Sequence, residues 1–317
     1  MEASSHGLDQ YRLDGVRVRA AGFTSFGRDH LDYHATTESY LAAKIRLFAE
    51  VLQPGGVAVL NADIPEYEQL RAAAEGASHP VLSYGWHGRD LKILKRTPTP
   101  TGQSATLNLF GAEFAIAFPL AGEFQLMNAL CALGMVIASE SADLGAVDPA
   151  RFVAGLERLT GVRGRLEHVA TLPNGASVYV DYAHKPDALV AVLEALRPHT
   201  TGRLVIAFGC GGDRDPGKRP IMGGIATRLA DRVIVTDDNP RTEDAATIRA
   251  AVMAGAPGAT EIGDRAEAIA AGIRDLQAGD IFVVAGKGHE QGQIVGKTVR
   301  PFDDATVVRA AMAEIYP

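Results

Sequence analysis

Two cysteines in 317 residues, Cys131 and Cys210, are too few for a disulfide framework, and both sit in apolar or glycine-rich surroundings. That scarcity excludes a small disulfide-stapled secreted domain and fits a reduced, cytoplasmic compartment. No run approaches the roughly 18 consecutive apolar residues of a membrane span. The first residues do not read as a signal peptide. Positive charge is not in excess either: 31 Lys and Arg stand against 38 Asp and Glu, for a net of −7. A binder that draws its affinity from neutralising nucleic-acid phosphates needs the opposite balance, although a few arginines suffice for one small phosphorylated ligand. No internal repeat or low-complexity tract occurs. The dinucleotide spacing Gly-x-Gly-x-x-Gly is lacking, and no Gly-Lys-Ser or Gly-Lys-Thr has the spacing of a phosphate loop.

What is present is a globular composition, 47% hydrophobic and 22% charged, with length enough for two domains. In the first half, residues 39–52 place Tyr40, Leu47, Phe48 and Val51 on one helical stripe, with Thr36 or Thr37 as the cap. Gly55-Gly56 turns the chain into an apolar strand at 57–63. Alternation over 104–119, around Phe110-Gly111, predicts a β-hairpin, and an apolar helix follows at about 124–140. The second half alternates regularly. Strands are predicted at 177–182, 203–209, 232–238 and 280–286, with helices opened by Pro186, near 219–230, 245–255 and 264–277, and last near 303–315. Such alternation predicts an α/β fold with a mostly parallel, doubly wound sheet. The boundary between halves is placed in TGVRGR, at Thr160–Arg165.

Each strand of the second half ends in a polar or glycine-rich cluster: DYAHKPDA, GCGGDRDPGKRP, TDDNPR and GKGHEQ. Open parallel sheets bind ligands outside the carboxyl ends of their strands, so a ligand site is expected there. GCGGDRDPGKRP gathers backbone amides with Arg214, Lys218 and Arg219, for an anion or as a solvated turn. In TDDNPR an arginine can grip a carboxylate with two parallel hydrogen bonds, while Asp238 and Asn239 can accept from an ammonium group. A ligand carrying both groups fits that set; a helix-capping turn around Pro240 is the plainer alternative. Glu290 either takes a second ammonium or stays solvated. In the first half, Lys44 shares the apolar face of Tyr40 and Phe48. It either snorkels to the surface or is an amine able to react. His30 stands among Arg28, Asp29, Asp32 and His34; with Glu2 it could hold a divalent ion.

Taken in order, MEASSHGL, TSFGRDHLDYHATTESYLAAKIRLF, LNAD, GRLE, VDYAHKPDAL, FGCGGDRDPGKRP, TDDNPRTE and VAGKGHEQ resemble the Mur ligases, over Met1 to about Phe302. The resemblance implies a partial Mur-ligase central ATPase domain over 1–160 and a Rossmann-like C-terminal domain over 161–317. It implies ATP-dependent amide-bond formation in peptidoglycan precursor synthesis, with ATP and Mg²⁺. The precursor UDP-MurNAc-L-Ala-D-Glu would be activated as an acyl phosphate and attacked by the amino group of meso-2,6-diaminopimelate. Carried over by motif, Lys44 matches the family's carbamylated lysine, and with Glu2 and His30 it matches the magnesium ligands. Ser4, Gln10 and Arg12 match contacts to the nucleotide-sugar substrate, and Asn128, Arg165 and Asp181 match residues around ATP. Lys44, Arg165, Asp181 and His184 are the catalytic candidates. Arg214, the run Asp238, Asn239, Pro240 and Arg241, and Gly286 and Glu290 match the diaminopimelate site. Arg241 there favours meso-diaminopimelate over lysine, which has no distal carboxylate. Gln125 replaces the first asparagine of the family's G-x-x-N-x-x-N pattern. The family also implies a uridine-binding domain and a phosphate loop of the GTNGKT kind, which no segment of this chain matches. The chain therefore reads as the C-terminal two-thirds of a ligase, expected to be a cytoplasmic monomer without nucleic-acid or membrane partners. The alternative is a non-catalytic remnant that keeps the amino-acid pocket but cannot use ATP. A folylpolyglutamate synthase or cyanophycin synthetase is disfavoured by DNPR together with GKGHE.

Overall fold

The structure, a computed structural model, describes residues 1–27, 30, 33–140 and 148–316. The chain divides into two compact units. One comprises Met1–Thr97, Ser104–Phe118 and Phe124–Arg158; the other comprises Pro98–Gln103, Pro119–Glu123 and Leu159–Pro317.

In the first unit a short helix, α1 (Ser5–Asp9), precedes strand β1 (Val18–Phe23) and helix α2 (Thr37–Arg46). Thr36 caps α2 in a reciprocal box: its hydroxyl accepts from Ser39 N at 3.1 Å while Ser39 Oγ accepts from Thr36 N at 3.1 Å. The helix expected to run to residue 52 instead ends at Arg46 and loosens into one π-helical turn, Leu47–Val51. Strand β2 (Leu52–Asn61) then starts five residues before the expected position. The reason is pairing: Leu52 lies opposite Val18 of β1, so this stretch is drawn into the sheet. Next come α3 (Tyr67–Gly76), β3 (Val81–Gly85), β4 (Leu91–Thr99), the hairpin β5 (Gly102–Leu109) and β6 (Ala112–Phe118), α4 (Glu123–Glu140) and α5 (Ala150–Leu156). The sheet order is β1-β2-β3-β4-β5-β6, and its first three pairings are parallel. Ala21, Phe23, Ala58 and Leu60 bury one face of it against Leu41, Phe48, Leu70 and Ala74.

The second unit adds β7 (Glu167–Thr171), β8 (Ser177–Asp181), α6 (Pro186–Leu196), β9 (Leu204–Phe208), α7 (Lys218–Leu229), β10 (Arg232–Val235), α8 (Ala245–Met253), β11 (Thr260–Glu261), α9 (Arg265–Arg274), β12 (Ile281–Ala285), β13 (Gly292–Val295), β14 (Thr298–Pro301) and α10 (Asp304–Ile315). The main sheet has the order β11-β10-β9-β12-β8-β7, parallel except for the edge pair β7–β8. Both faces are covered, which is why its strands are continuous apolar runs. Leu204, Ile206 and Phe208 point into one core with residues of α6, α7 and α8. Val205 and Ala207 point into the other, with α9 and α10. From β9 the chain runs outward to β10 and β11, then returns to insert β12 between β9 and β8. That reversal opens a crevice at the carboxyl ends of β9 and β12. The sequence's one Gly-Lys-Thr, residues 296–298, spans the tight turn and first residue of β14 in the ribbon β13–β14 and has no phosphate-loop geometry.

Candidate functional site

All four strand-end clusters meet in one cavity of about 640 Å³ in the second unit. His184 comes from the loop after β8, Arg214 from the loop after β9, Asp238, Asn239 and Arg241 from the loop after β10, and Gly286 and Glu290 from the loop after β12. Close backbone approach makes the gathering possible. Any side chain at residue 212 would collide with the loop after β10, since a Cβ on Gly212 would lie 1.9 Å from Pro240 O. Gly212 N donates to Asn239 O at 2.9 Å. Gly286 has φ +116°, a region nearly closed to other residues, and turns the chain directly behind Asp238.

One wall of the cavity is acidic and largely buried. Asp238 is 6% exposed, and its Oδ1 has no hydrogen-bond partner. Burial pushes its carboxyl pKa up, against the pull of Arg265 and Lys287. Behind it Arg265 and Asp304, both wholly buried, form a two-bond ion pair with both distances 2.7 Å. Lys287, also wholly buried, donates to Asn239 Oδ1 at 3.0 Å and to Glu290 Oε2 at 3.2 Å, and lies 3.7 Å from Asp238 Oδ1. Burial pushes the Glu290 carboxyl up, but the Asn239 donor and the charges of Lys287 and Arg241 outweigh it, leaving its pKa below the ordinary value. Three carboxylates (Asp238, Glu290, Asp304) thus cluster around two buried cations (Arg265, Lys287), with Arg241 adding its charge at Glu290. Asn239 does not accept from a ligand as its residue type suggests. Its Oδ1 already takes Lys287 Nζ and Ile294 N, the latter at 2.9 Å, and its Nδ2 donates to Glu290 at 2.9 Å.

Two arginines bring positive charge to the same cavity. Arg241 adopts φ +51°, its N donates to Ile294 O at 3.0 Å, and one guanidinium N–H donates to Gly212 O at 2.8 Å. Arg214 is exposed, with one bond to Asp213 O at 3.1 Å. His184 accepts at its backbone oxygen from Lys218 Nζ at 2.7 Å, and its ring packs on Tyr182. Pro240 is buried beside the cavity without lining it. Asp181 and Arg165 lie outside it too. Both carboxylate oxygens of Asp181 accept backbone N–H groups, from Leu166 at 2.7 Å and Ala183 at 2.8 Å. Burial raises its pKa, those donors and Arg165 opposing. The Arg165 guanidinium stacks 4.9 Å from the Tyr182 ring.

In the first unit Glu2 and Lys44 line a second cavity, of about 380 Å³. Lys44 is half-buried, its Nζ 5.1 Å from the Tyr40 ring centroid. The His30 ring lies 5.8 Å from the same tyrosine ring and 5.1 Å from His6. Among the described residues no group of three His, Cys, Asp or Glu is placed to hold a metal ion. A hard divalent cation here would need oxygens from the Glu2 carboxylate and from Lys44 as a carbamate, which line this cavity, while His30 and Lys44 both approach the Tyr40 ring. Ser4 Oγ accepts from Gly7 N at 3.1 Å as the cap of α1, and Gln10 Nε2 donates to Tyr33 Oη at 3.1 Å. Arg12 and Asn128 are exposed. Arg28, Asp29 and Asp32 lie outside the described residues. The residues that sequence reasoning passed over are Lys287, Arg265 and Asp304. Only Lys287 left a signal: a lysine between two glycines at the end of a wholly apolar strand.

Family models match the chain in two places: the Mur ligase middle domain over residues 1–136, and the Mur ligase glutamate ligase domain over residues 164–288. A UDP-N-acetylmuramoyl-L-alanyl-D-glutamate–2,6-diaminopimelate ligase of Caulobacter vibrioides is 53% identical over 98% of this chain and 63% of its own length. One of Agrobacterium fabrum is 54% identical over 99% and 63%. A solved structure of a ligase of that name superposes with a TM-score of 0.75 at 38% identity, covering all of this chain and 64% of the other. A Mycobacterium tuberculosis folylpolyglutamate synthase, TM-score 0.64 at 24% identity, shares the fold. The chain spans about 63% of the length of the relatives it matches.

Proposed function

The chain belongs to the Mur ligase family, and from that premise we propose that it serves ATP-dependent amide-bond formation in peptidoglycan precursor synthesis. The reaction joins meso-2,6-diaminopimelate to UDP-MurNAc-L-Ala-D-Glu by way of an acyl phosphate. Residues 1–160 are the partial ATP-binding domain and residues 161–317 the domain that binds the amino acid. The protein acts in the cytoplasm as a monomer, and among its described residues no helix is long and apolar enough to cross a membrane.

One observation carries the reading: a buried Asp238 oxygen that no hydrogen bond reaches lines the same cavity as Glu290, Arg214 and Arg241. A ligand that completes this site brings an ammonium to Asp238 and Glu290 and a carboxylate to the arginines. The distal end of meso-diaminopimelate has both; the distal end of lysine has only the ammonium and would leave Arg241 without its partner. Asp238, Glu290 and Arg241 hold that end, so that the other amino group is presented to the activated carboxyl. Asp181 fastens the loop at Leu166 and so positions Arg165 for ATP, while His184 lines the amino-acid cavity; Asn128 is the nucleotide contact of the first unit. Ser4, Gln10 and Arg12 face the nucleotide-sugar. Glu2, His30 and Lys44 as its carbamate would hold Mg²⁺, which neutralises phosphate charge when bound.

Calorimetric titration of the purified chain with meso-diaminopimelate and with L-lysine tests this. The expected result is preference for meso-diaminopimelate by about 100-fold or more, roughly the value of two charge-assisted hydrogen bonds. Equal binding of lysine removes the specificity, and absence of binding removes the site. Binding of meso-diaminopimelate without ADP formation, when ATP, Mg²⁺ and UDP-MurNAc-L-Ala-D-Glu are supplied, confines these residues to amino-acid capture.

A further inference from the structure

Lys287 is buried where a lysine is costly, and neither the chemistry above nor any contact with solvent uses it. Its ammonium donates to Asn239 Oδ1 at 3.0 Å and Glu290 Oε2 at 3.2 Å and forms an ion pair with Asp238 Oδ1 at 3.7 Å. By donating to Asn239 Oδ1 it fixes which way that amide points, and the amide nitrogen is then committed to Glu290. Two of the three groups it touches are the carboxylates left to meet a ligand.

We propose that Lys287 is a positioning residue for the acidic wall, an internal ammonium that orients Asn239, Glu290 and Asp238 toward the ammonium of the incoming amino acid. The proposal rests on the amino-acid-site reading above. The protein's own cation occupies the rear of the carboxylate pair, and the ligand's cation occupies the front. Without the rear cation, the front site would have to be held open by two carboxylates repelling each other across a low-dielectric wall. They would then take up protons at higher pH and lose their hold on the ligand.

The other charges facing this pair are Arg265 from α9, Asp304 from α10 and Arg241 from the loop after β10. His184, Lys185, Asp187, Arg214, Asp215 and Lys218 line the same cavity from the loops after β8 and β9 and from α6 and α7. None of these is altered by removing Lys287, so a change in pH dependence reports on the lysine.

The test is the affinity of the full chain for meso-diaminopimelate, by calorimetry from pH 5.5 to 9, for wild type and Lys287→Met. The variant is expected to bind at least about tenfold more weakly at pH 7. Its loss of affinity on acidification is expected to begin about one pH unit higher than in wild type. If Lys287→Met does not fold, as judged by circular dichroism, Lys287→Gln makes the same comparison, keeping a buried hydrogen-bond donor without the charge. Wild-type affinity and profile in the folded variant, or a loss of equal size at every pH, overturns the proposal. No binding by the wild-type chain overturns the amino-acid-site reading and this inference with it, so the two failures are distinguishable.

Discussion

Arg241 holds a left-handed backbone at φ +51°, a conformation that costs a non-glycine residue on the order of 1 kcal/mol. That strain aims its side chain at the cavity it lines. Arg241→Ala is expected to weaken meso-diaminopimelate binding by about 100-fold while leaving L-lysine binding within about twofold, because only the former carries a carboxylate at its distal end to meet the fork. Titration of both ligands into the variant checks this; an equal loss for lysine would make Arg241 a scaffold residue. Asp238 carries the opposite burden. Burial raises its pKa, so the folded chain takes up a proton there more readily than the unfolded chain. The ionised carboxylate therefore lowers stability at neutral pH, and the penalty fades as pH falls through the folded value toward the unfolded one near ~3.9. Asp238→Asn should raise Tm at pH 7 by about 2–4 °C, with the gain vanishing by pH 4, while meso-diaminopimelate affinity drops at least about tenfold. A lower Tm at pH 7 would mean that Arg265 and Lys287 need this carboxylate more than burial opposes it.

At the scale of elements, the strand-end loops are held by one another rather than by the sheet. The ribbon β13–β14 is an isolated pair, marginal alone. It is fastened by Gln293 Nε2 to Asp238 O at 2.8 Å, Ile294 N to Asn239 Oδ1, and Gly296 N to Arg241 O at 2.6 Å. Gly296 has φ +60°, and valine there costs roughly 1–2 kcal/mol. Gly296→Val should therefore loosen Arg241 and weaken meso-diaminopimelate binding about tenfold, with Tm moving less than about 2 °C, because neither apolar core includes the ribbon. Binding and melting measured on the same sample check it; a large Tm loss with intact affinity would refute the coupling. The sequence shows the alternation of the second half because runs such as Leu204–Phe208 are buried on both faces and need no polar side. It also shows where the clusters converge, since parallel strands put every carboxyl end on one edge. It does not show the end of α2, where strand pairing at Leu52 overrides helical periodicity. Nor does it show that Asn239 is used up within the protein, because hydrogen-bond partners 48 and 55 residues away leave no local spacing.

For the whole molecule, two short stretches break any single cut between halves. Residues 98–103 and 119–123 group with the second unit although they lie in the first half of the chain. Buried polar bonds explain it. His199 accepts from Gly122 N at 3.0 Å and pairs with Thr99 O at 2.7 Å; Gln103 Nε2 donates to Leu120 O and Gly122 O; Tyr179 Oη donates to Pro100 O at 2.7 Å. A ligand that binds only the folded second unit stabilises it by RT ln(1 + [L]/Kd), about 2.7 kcal/mol at a hundredfold excess over Kd. Hydrogen exchange with saturating meso-diaminopimelate should then slow about 100-fold at the slowest amides of β8, β9 and β12. Residues 99–103 and 120–122 should follow them, being tied by those bonds to the same cooperative unit, while β1 and β2 of the first unit keep their rates. Slowing of equal size in both units would mean that the two open together. Unchanged exchange at 99–103 and 120–122 would mean that their bonds to His199 and Tyr179 break before the second unit unfolds.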